Sequence, residues 1–180
     1  AFDSTLNDNT TSFSFTNIAG NFLVLIIGTT TSTAPTVTYN GVSLIFQATQ
    51  QMDVQADWIH AFTLINPAIG TNTLAITGGA IIASSVATYS GVSTTGQPEV
   101  KTQKAQASAL SVNDSIITIT DNNWVIVAFG ANGTPTYINV TQREGFPYLG
   151  DSNSAVTPAG SYSQTASLSI ATPWAMIQLA

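Results

Sequence analysis

Thr36-Val-Thr-Tyr-Asn-Gly-Val-Ser-Leu-Ile-Phe46 decides the fold class. Apolar and polar residues alternate on both sides of Asn40-Gly41. A two-residue type I′ turn needs positive φ at both central residues, and Asn followed by Gly meets that need at least steric cost. The stretch therefore reads as a β-hairpin. Upstream, Phe13 and Phe15 alternate with Ser12, Ser14 and Thr16. After the turn signal Ala19-Gly20-Asn21 comes an unbroken apolar run, Phe22-Leu-Val-Leu-Ile-Ile27, which is a fully buried strand.

The same period of two continues downstream. Trp58 to Ile65 is a strand stopped by Asn66-Pro67, and Thr73 to Thr77 and Ile81 to Tyr89 follow. Ser115 to Thr120 and Trp124 to Phe129 flank Asp121-Asn122-Asn123, which reads as a second tight hairpin. Tyr137 to Gln142, Ser161 to Ile170 and Trp174 to Leu179 complete the set. Residues 91–105 and 145–160 are loops, the first with room for a short helical turn. No useful amphipathic helix is present. The expected architecture is all-β, an antiparallel β-sandwich of jelly-roll type with about ten to twelve short strands. Residues 1–180 form one domain, with residues 1–10 as an N-terminal arm before the first clear strand.

Composition narrows the function. Charged residues make up only 7% of the chain, against about 25% in an average soluble domain. Hydroxyls and amides must cover the surface instead. Three cations, Lys101, Lys104 and Arg143, stand against nine acids. Nucleic-acid binding and polybasic membrane contact both need clustered Lys and Arg, so both are set aside. There is no cysteine, which excludes disulfides, thiolate catalysis and Cys-based zinc. No apolar run reaches the roughly 20 residues of a spanning helix. An initial Ala1 fits a processed chain and a trimmed one equally. With few titrating groups and few cations to pair with them, stability is expected to change little between about pH 7 and pH 4.

Several segments together resemble a recurrent β-sandwich domain of large bacterial surface proteins and phage structural proteins. They are Phe22 to Gly28, Val37 to Leu44, Leu64-Ile-Asn-Pro-Ala-Ile-Gly-Thr-Asn-Thr-Leu74, Ala87-Thr-Tyr-Ser-Gly-Val92, Thr141-Gln-Arg143 and Pro173 to Leu179. They cover most of the chain in order, and they specify strands and turns rather than a chemistry. The resemblance implies a structural or adhesive module on a cell or virion surface and carries no catalytic residue.

Candidate sites are correspondingly thin. His60 is the only histidine, on the strand face of Trp58, Phe62 and Leu64, without a flanking nucleophile motif. Asp53 and Asp57 lie four apart, and Glu99 and Glu144 fall in polar loops, with no pattern that sets two carboxylates across a cleft. Asn7-Asp8-Asn9 and Gly150-Asp151-Ser152-Asn153 read as turn chemistry, not as a calcium loop. No catalytic residue, metal or cofactor is assigned. Four N-x-Ser/Thr sequons, at Asn9, Asn113, Asn132 and Asn139, are what chance gives in so Ser/Thr-rich a chain. Phe146 and Tyr148 in a Gly-rich loop, and Phe2 and Leu6 in the arm, are the candidate assembly or ligand contacts. The arm either lies along its own sheet or adds to the edge of a neighbour. The expectation is a non-enzymatic extracellular or virion structural protein that assembles with copies of itself. The alternative is a carbohydrate-binding or adhesion module, and an enzyme ranks third.

Overall fold

The computed structural model describes residues 1–52 and 56–180. All of its regular elements are strands, and every pairing is antiparallel. The expected antiparallel β-sandwich is present, with fifteen strands among the described residues in place of ten to twelve, and three layers in place of two.

The middle layer is built on β3 (Phe22–Thr29), the apolar run noted above. It is flanked by β9 (Ile81–Tyr89) and then β1 (Phe2–Asp8) on one side. On the other lie β7 (Trp58–Ile65) and then β6 (Ile45–Gln51). Successive side chains point to opposite faces, so a strand apolar at every position needs a cover on each. Leu23, Leu25 and Ile27 join Phe62, Leu64 and Val86 against an outer sheet of β2 (Ser12–Asn17), β8 (Gly70–Thr77), β4 (Thr36–Tyr39) and β5 (Val42–Ser43). Phe15, Val37, Tyr39, Leu74 and Ile76 meet them there. Phe22, Val24 and Ile26 pack the other way, against Ile126, Ala128, Ala175 and Ile177. Each buried Leu, Ile, Val or Phe among them contributes about 1.5–3 kcal/mol.

That second outer sheet has the order β10 (Lys101–Ile117), β15 (Ser161–Leu179), β11 (Ile126–Ala131), β14 (Tyr148–Asp151), β13 (Thr141–Glu144). Strands β10 and β15 are long, and their pairing shifts register between Gln106 and Ser111. Bulges of this kind bend and twist a ribbon. The distal half pairs with β12 (Pro135–Ile138) and encloses a third core of Val112, Ile116, Phe129, Leu168, Trp174 and Met176.

The Asn40-Gly41 hairpin forms as expected, with φ of 51° and 76° and Tyr39 opposite Val42. Several other expectations are corrected. Asp121-Asn122-Asn123 does not close a hairpin, because β15 inserts between β10 and β11. Ser161 to Ile170 and Trp174 to Leu179 are one strand. The 145–160 segment contains β14, Tyr137 to Gln142 is divided between β12 and β13, and β10 already begins at Lys101 with no helical turn before it. Of the two placements open to the N-terminal arm, the chain shows the intramolecular one. β1 pairs with β9 from Phe2 opposite Tyr89 to Asp8 opposite Ser84. Asp3 Oδ2 fastens it by accepting from the Ile18, Ala19 and Gly20 amides, each at 3.1 Å, and from the Thr88 hydroxyl at 3.0 Å.

Candidate functional site

The few charged groups are mostly committed to holding the fold. Asp151 is fully buried between the middle and bent layers. It accepts a bidentate pair from Arg143, Nε to Oδ2 at 2.8 Å and Nη2 to Oδ1 at 2.9 Å. The Tyr89 hydroxyl adds a bond at 3.1 Å and the Asn153 amide one at 2.8 Å. The bond to Asp151 holds the Arg143 pKa above its ordinary value, and burial beside that carboxylate pushes the Tyr89 phenol well up. The guanidinium also lies 4.2 Å from the Phe2 ring centre. Lys101 Nζ donates to Gln47 O at 2.7 Å, and Lys104 Nζ donates to Asn113 O at 2.8 Å. All three cations are thus engaged within the chain.

His60 is equally structural. Thr29 Oγ1 donates to Thr31 O at 2.7 Å, so its lone pair accepts from His60 Nε2 at 2.9 Å. The proton therefore sits on Nε2. Nδ1 is buried without a partner among the described residues. Desolvation lowers the imidazole pKa and keeps the ring neutral. Among the described residues, no three of His, Cys, Asp and Glu converge on a metal-sized space. Asp53, and with it the Asp53–Asp57 pair, lies outside the described residues.

Two features stand out as sites. The first is a pocket of about 150 Å³ at one end of the sandwich, between the chain leaving β9 and the start of β11. Phe22, Tyr89 and Trp124 give it an aromatic wall, and Gln97, Asp121 and Asn122 stand on its polar side. Trp124 is half-buried and braced by Tyr89, ring centres 5.7 Å apart at 57°. The wall of turns beside it is held by Glu99. One carboxylate oxygen accepts from Ile119 N at 2.9 Å, Thr120 N at 3.0 Å and Asn123 Nδ2, and the other accepts from the Thr120 hydroxyl at 2.9 Å. Burial acts against the Glu99 charge, but these bonds outweigh it and hold the pKa below the ordinary value. Asp121 Oδ1 accepts from Ala159 N at 2.6 Å, and Asn122 Oδ1 from the Thr157 hydroxyl at 3.1 Å. The second oxygen of Asp121, the amide nitrogen of Asn122 and the Gln97 amide have no hydrogen-bond partner among the described residues.

The second feature is the arrangement of sheet edges. β1 lies over β13 and touches β2, while β6 lies over β10 and follows directly from β5. The three sheets therefore end together, with β2, β1 and β13 on one flank and β5, β6 and β10 on the other. The second flank exposes Val42 (54%), Ile45 (56%) and Phe46 (45%). An open groove runs between Phe46, Ala48 and Thr49 of β6 and Lys101, Thr102 and Gln103 of β10.

The contacts expected from sequence lie elsewhere. Phe2 packs edge-on to Tyr89 beneath Arg143, and Leu6 covers the rim of the core between the middle and four-stranded sheets. Phe146 and Tyr148 meet at a right angle 6.2 Å apart, with Phe146 lying against Gly28. Those two border a shallow groove with Ile82 and Ala131. The structure does not bring the four together at one site. Sequence reasoning passed over Trp124, reading it as the opening residue of a strand, and took Asp121 and Asn122 as turn residues. The available signal was a large aromatic next to three polar residues at a strand's end, where only half of it can be covered. Compared with family models, curated proteins and solved structures, the chain shows no significant match.

Proposed function

We propose that this chain is a non-enzymatic structural module of an extracellular, cell or virion surface, and that it packs flank to flank with copies of itself. The observation that carries the reading is the alignment of three sheet edges on each flank, with Val42, Ile45 and Phe46 exposed on one of them. Open edges invite strand pairing, and natural domains usually blunt them with charge. This chain has little charge to do so, and a subunit enclosed by neighbours has little need of it. The resemblance to surface and phage domains points the same way.

The test is light scattering after size exclusion, with negative-stain microscopy, on the wild type and on Val42→Lys and Ile45→Lys. Both side chains are more than half exposed, so neither change should unfold the chain. Concentration-dependent particles that the lysines dissolve would support the reading. A wild type that stays monomeric at high concentration, or particles indifferent to both lysines, would overturn it. A second reading, a glycan-binding or adhesion module, is favoured by the Trp124 pocket, whose aromatic wall and amide-rich rim suit a sugar.

A further inference from the structure

We infer that the Trp124 pocket binds a single neutral pyranose ring, stacked on the indole and hydrogen-bonded by Asp121, Asn122 and Gln97. This rests on the second reading and makes it specific; it does not depend on self-assembly.

Size comes first. A cavity near 150 Å³ holds about one six-membered ring, and this pocket has that volume. A disaccharide or a peptide segment would leave most of its surface outside. Chemistry comes next. Small-molecule sites combine an apolar wall with a few placed polar groups. A pyranose has the matching anatomy, a ring face of C–H bonds and an equator of hydroxyls. The electron-rich face of Trp124 suits the first, and Tyr89 behind it fixes its orientation. For the second, the pocket offers one carboxylate acceptor, the free oxygen of Asp121, and amide donors on Asn122 and Gln97.

Pre-organisation supports the same assignment. Asp121 and Asn122 are each already held through one oxygen, by Ala159 N and the Thr157 hydroxyl. The turn they sit on is bridged to Val156, and its neighbour Asn123 is clamped by Glu99. Little rotamer freedom remains to be lost on binding. Charge then selects among sugars. No cation lines the pocket, and Asp121 with the nearby Glu99 makes the region negative. Uronic and sialic acids would meet like charge, which costs affinity.

The experiment titrates the wild-type chain, in whatever assembly state it adopts, with methyl glycosides of glucose, galactose, mannose and N-acetylglucosamine. Methyl glucuronide is the anionic arm. Calorimetry and ligand-observed NMR read the binding. At least one neutral glycoside should bind saturably, and more tightly than the glucuronide. Trp124→Ala should weaken it by about tenfold or more. Gln97→Ala, which removes an amide that makes no hydrogen bond to the described residues, should weaken it several-fold with the melting temperature nearly unchanged, which covers the case in which loss of the indole disturbs the fold. Saturable binding that neither substitution alters would overturn the pocket while leaving a glycan module elsewhere on the surface. Absence of binding to all four neutral glycosides would overturn both, as would preference for the glucuronide for the neutral-sugar assignment.

Discussion

Replacing Arg143 with Met tests whether the layers are locked by the buried pair. Asp151 is fully buried, and the Arg143 side chain is only 15% exposed, so solvent screens the pair little. Arg143→Met removes two of the four donors to Asp151, leaving the Tyr89 hydroxyl and the Asn153 amide around a buried charge. Breaking one side of such a pair costs about 3–5 kcal/mol. Loss of the contact with Phe2 adds about 0.5–1 kcal/mol. Met keeps much of the aliphatic packing, so about 3 kcal/mol is the expected net cost. In urea, with a slope of about 2 kcal/mol/M, the midpoint should fall by about 1.5 M. Pairing the change with Asp151→Asn removes the stranded charge, and the double variant should be more stable than Arg143→Met alone. Equilibrium unfolding followed by tryptophan fluorescence at neutral pH measures all three variants. A midpoint shift below about 0.5 M for the single variant, or a double variant less stable than it, would refute the argument.

Gly41→Val should lower stability by about 1 kcal/mol or more, seen as a lower melting temperature. A Cβ there meets nothing within 4 Å, so the cost is the positive φ of 76° and not crowding. The pH profile should have two parts. Asp3 and Glu99 have lowered pKa values in the fold, so their contribution is complete above the unfolded value near pH 4 and disappears as pH falls through the folded ones. His60 is also lowered, so its contribution is complete above about pH 6.5 and declines as the pH drops below that. A shallow loss of melting temperature should therefore begin near pH 6.5, a sharper one below about pH 4, and His60→Leu should remove only the first.

The strands were legible where the sequence was locally decisive. Asn40-Gly41 admits one turn, and Phe22 to Ile27 admits only burial on both faces. That second fact already implied a third layer, since a two-sheet sandwich buries one face of each strand. The bent sheet was not legible. Strands β10 and β15 pair across more than forty intervening residues, and Ser/Thr-rich alternation does not say which strand lies beside which. That non-local choice separated β10 from β11 and turned Asp121-Asn122-Asn123 from a hairpin tip into a pocket wall. Trp124 escaped for the same reason. Its half-burial depends on Tyr89, thirty-five positions away in sequence.

The count of strands in each layer has a consequence for symmetry. An antiparallel sheet with an odd number of strands begins and ends on strands that point the same way. The middle layer, and the main path of the bent one, each have five. A neighbour displaced by simple translation would therefore bring β6 beside β1, and β10 beside β13, in parallel. A half-turn about an axis normal to the layers does something different. It keeps each layer in its plane, reverses every strand, and sets β5, β6 and β10 against their own copies antiparallel, all at once. The opposite flank obeys the same rule. Joined like to like on both sides, the chains would form a ribbon with two alternating kinds of dyad, and its two ends would be indistinguishable.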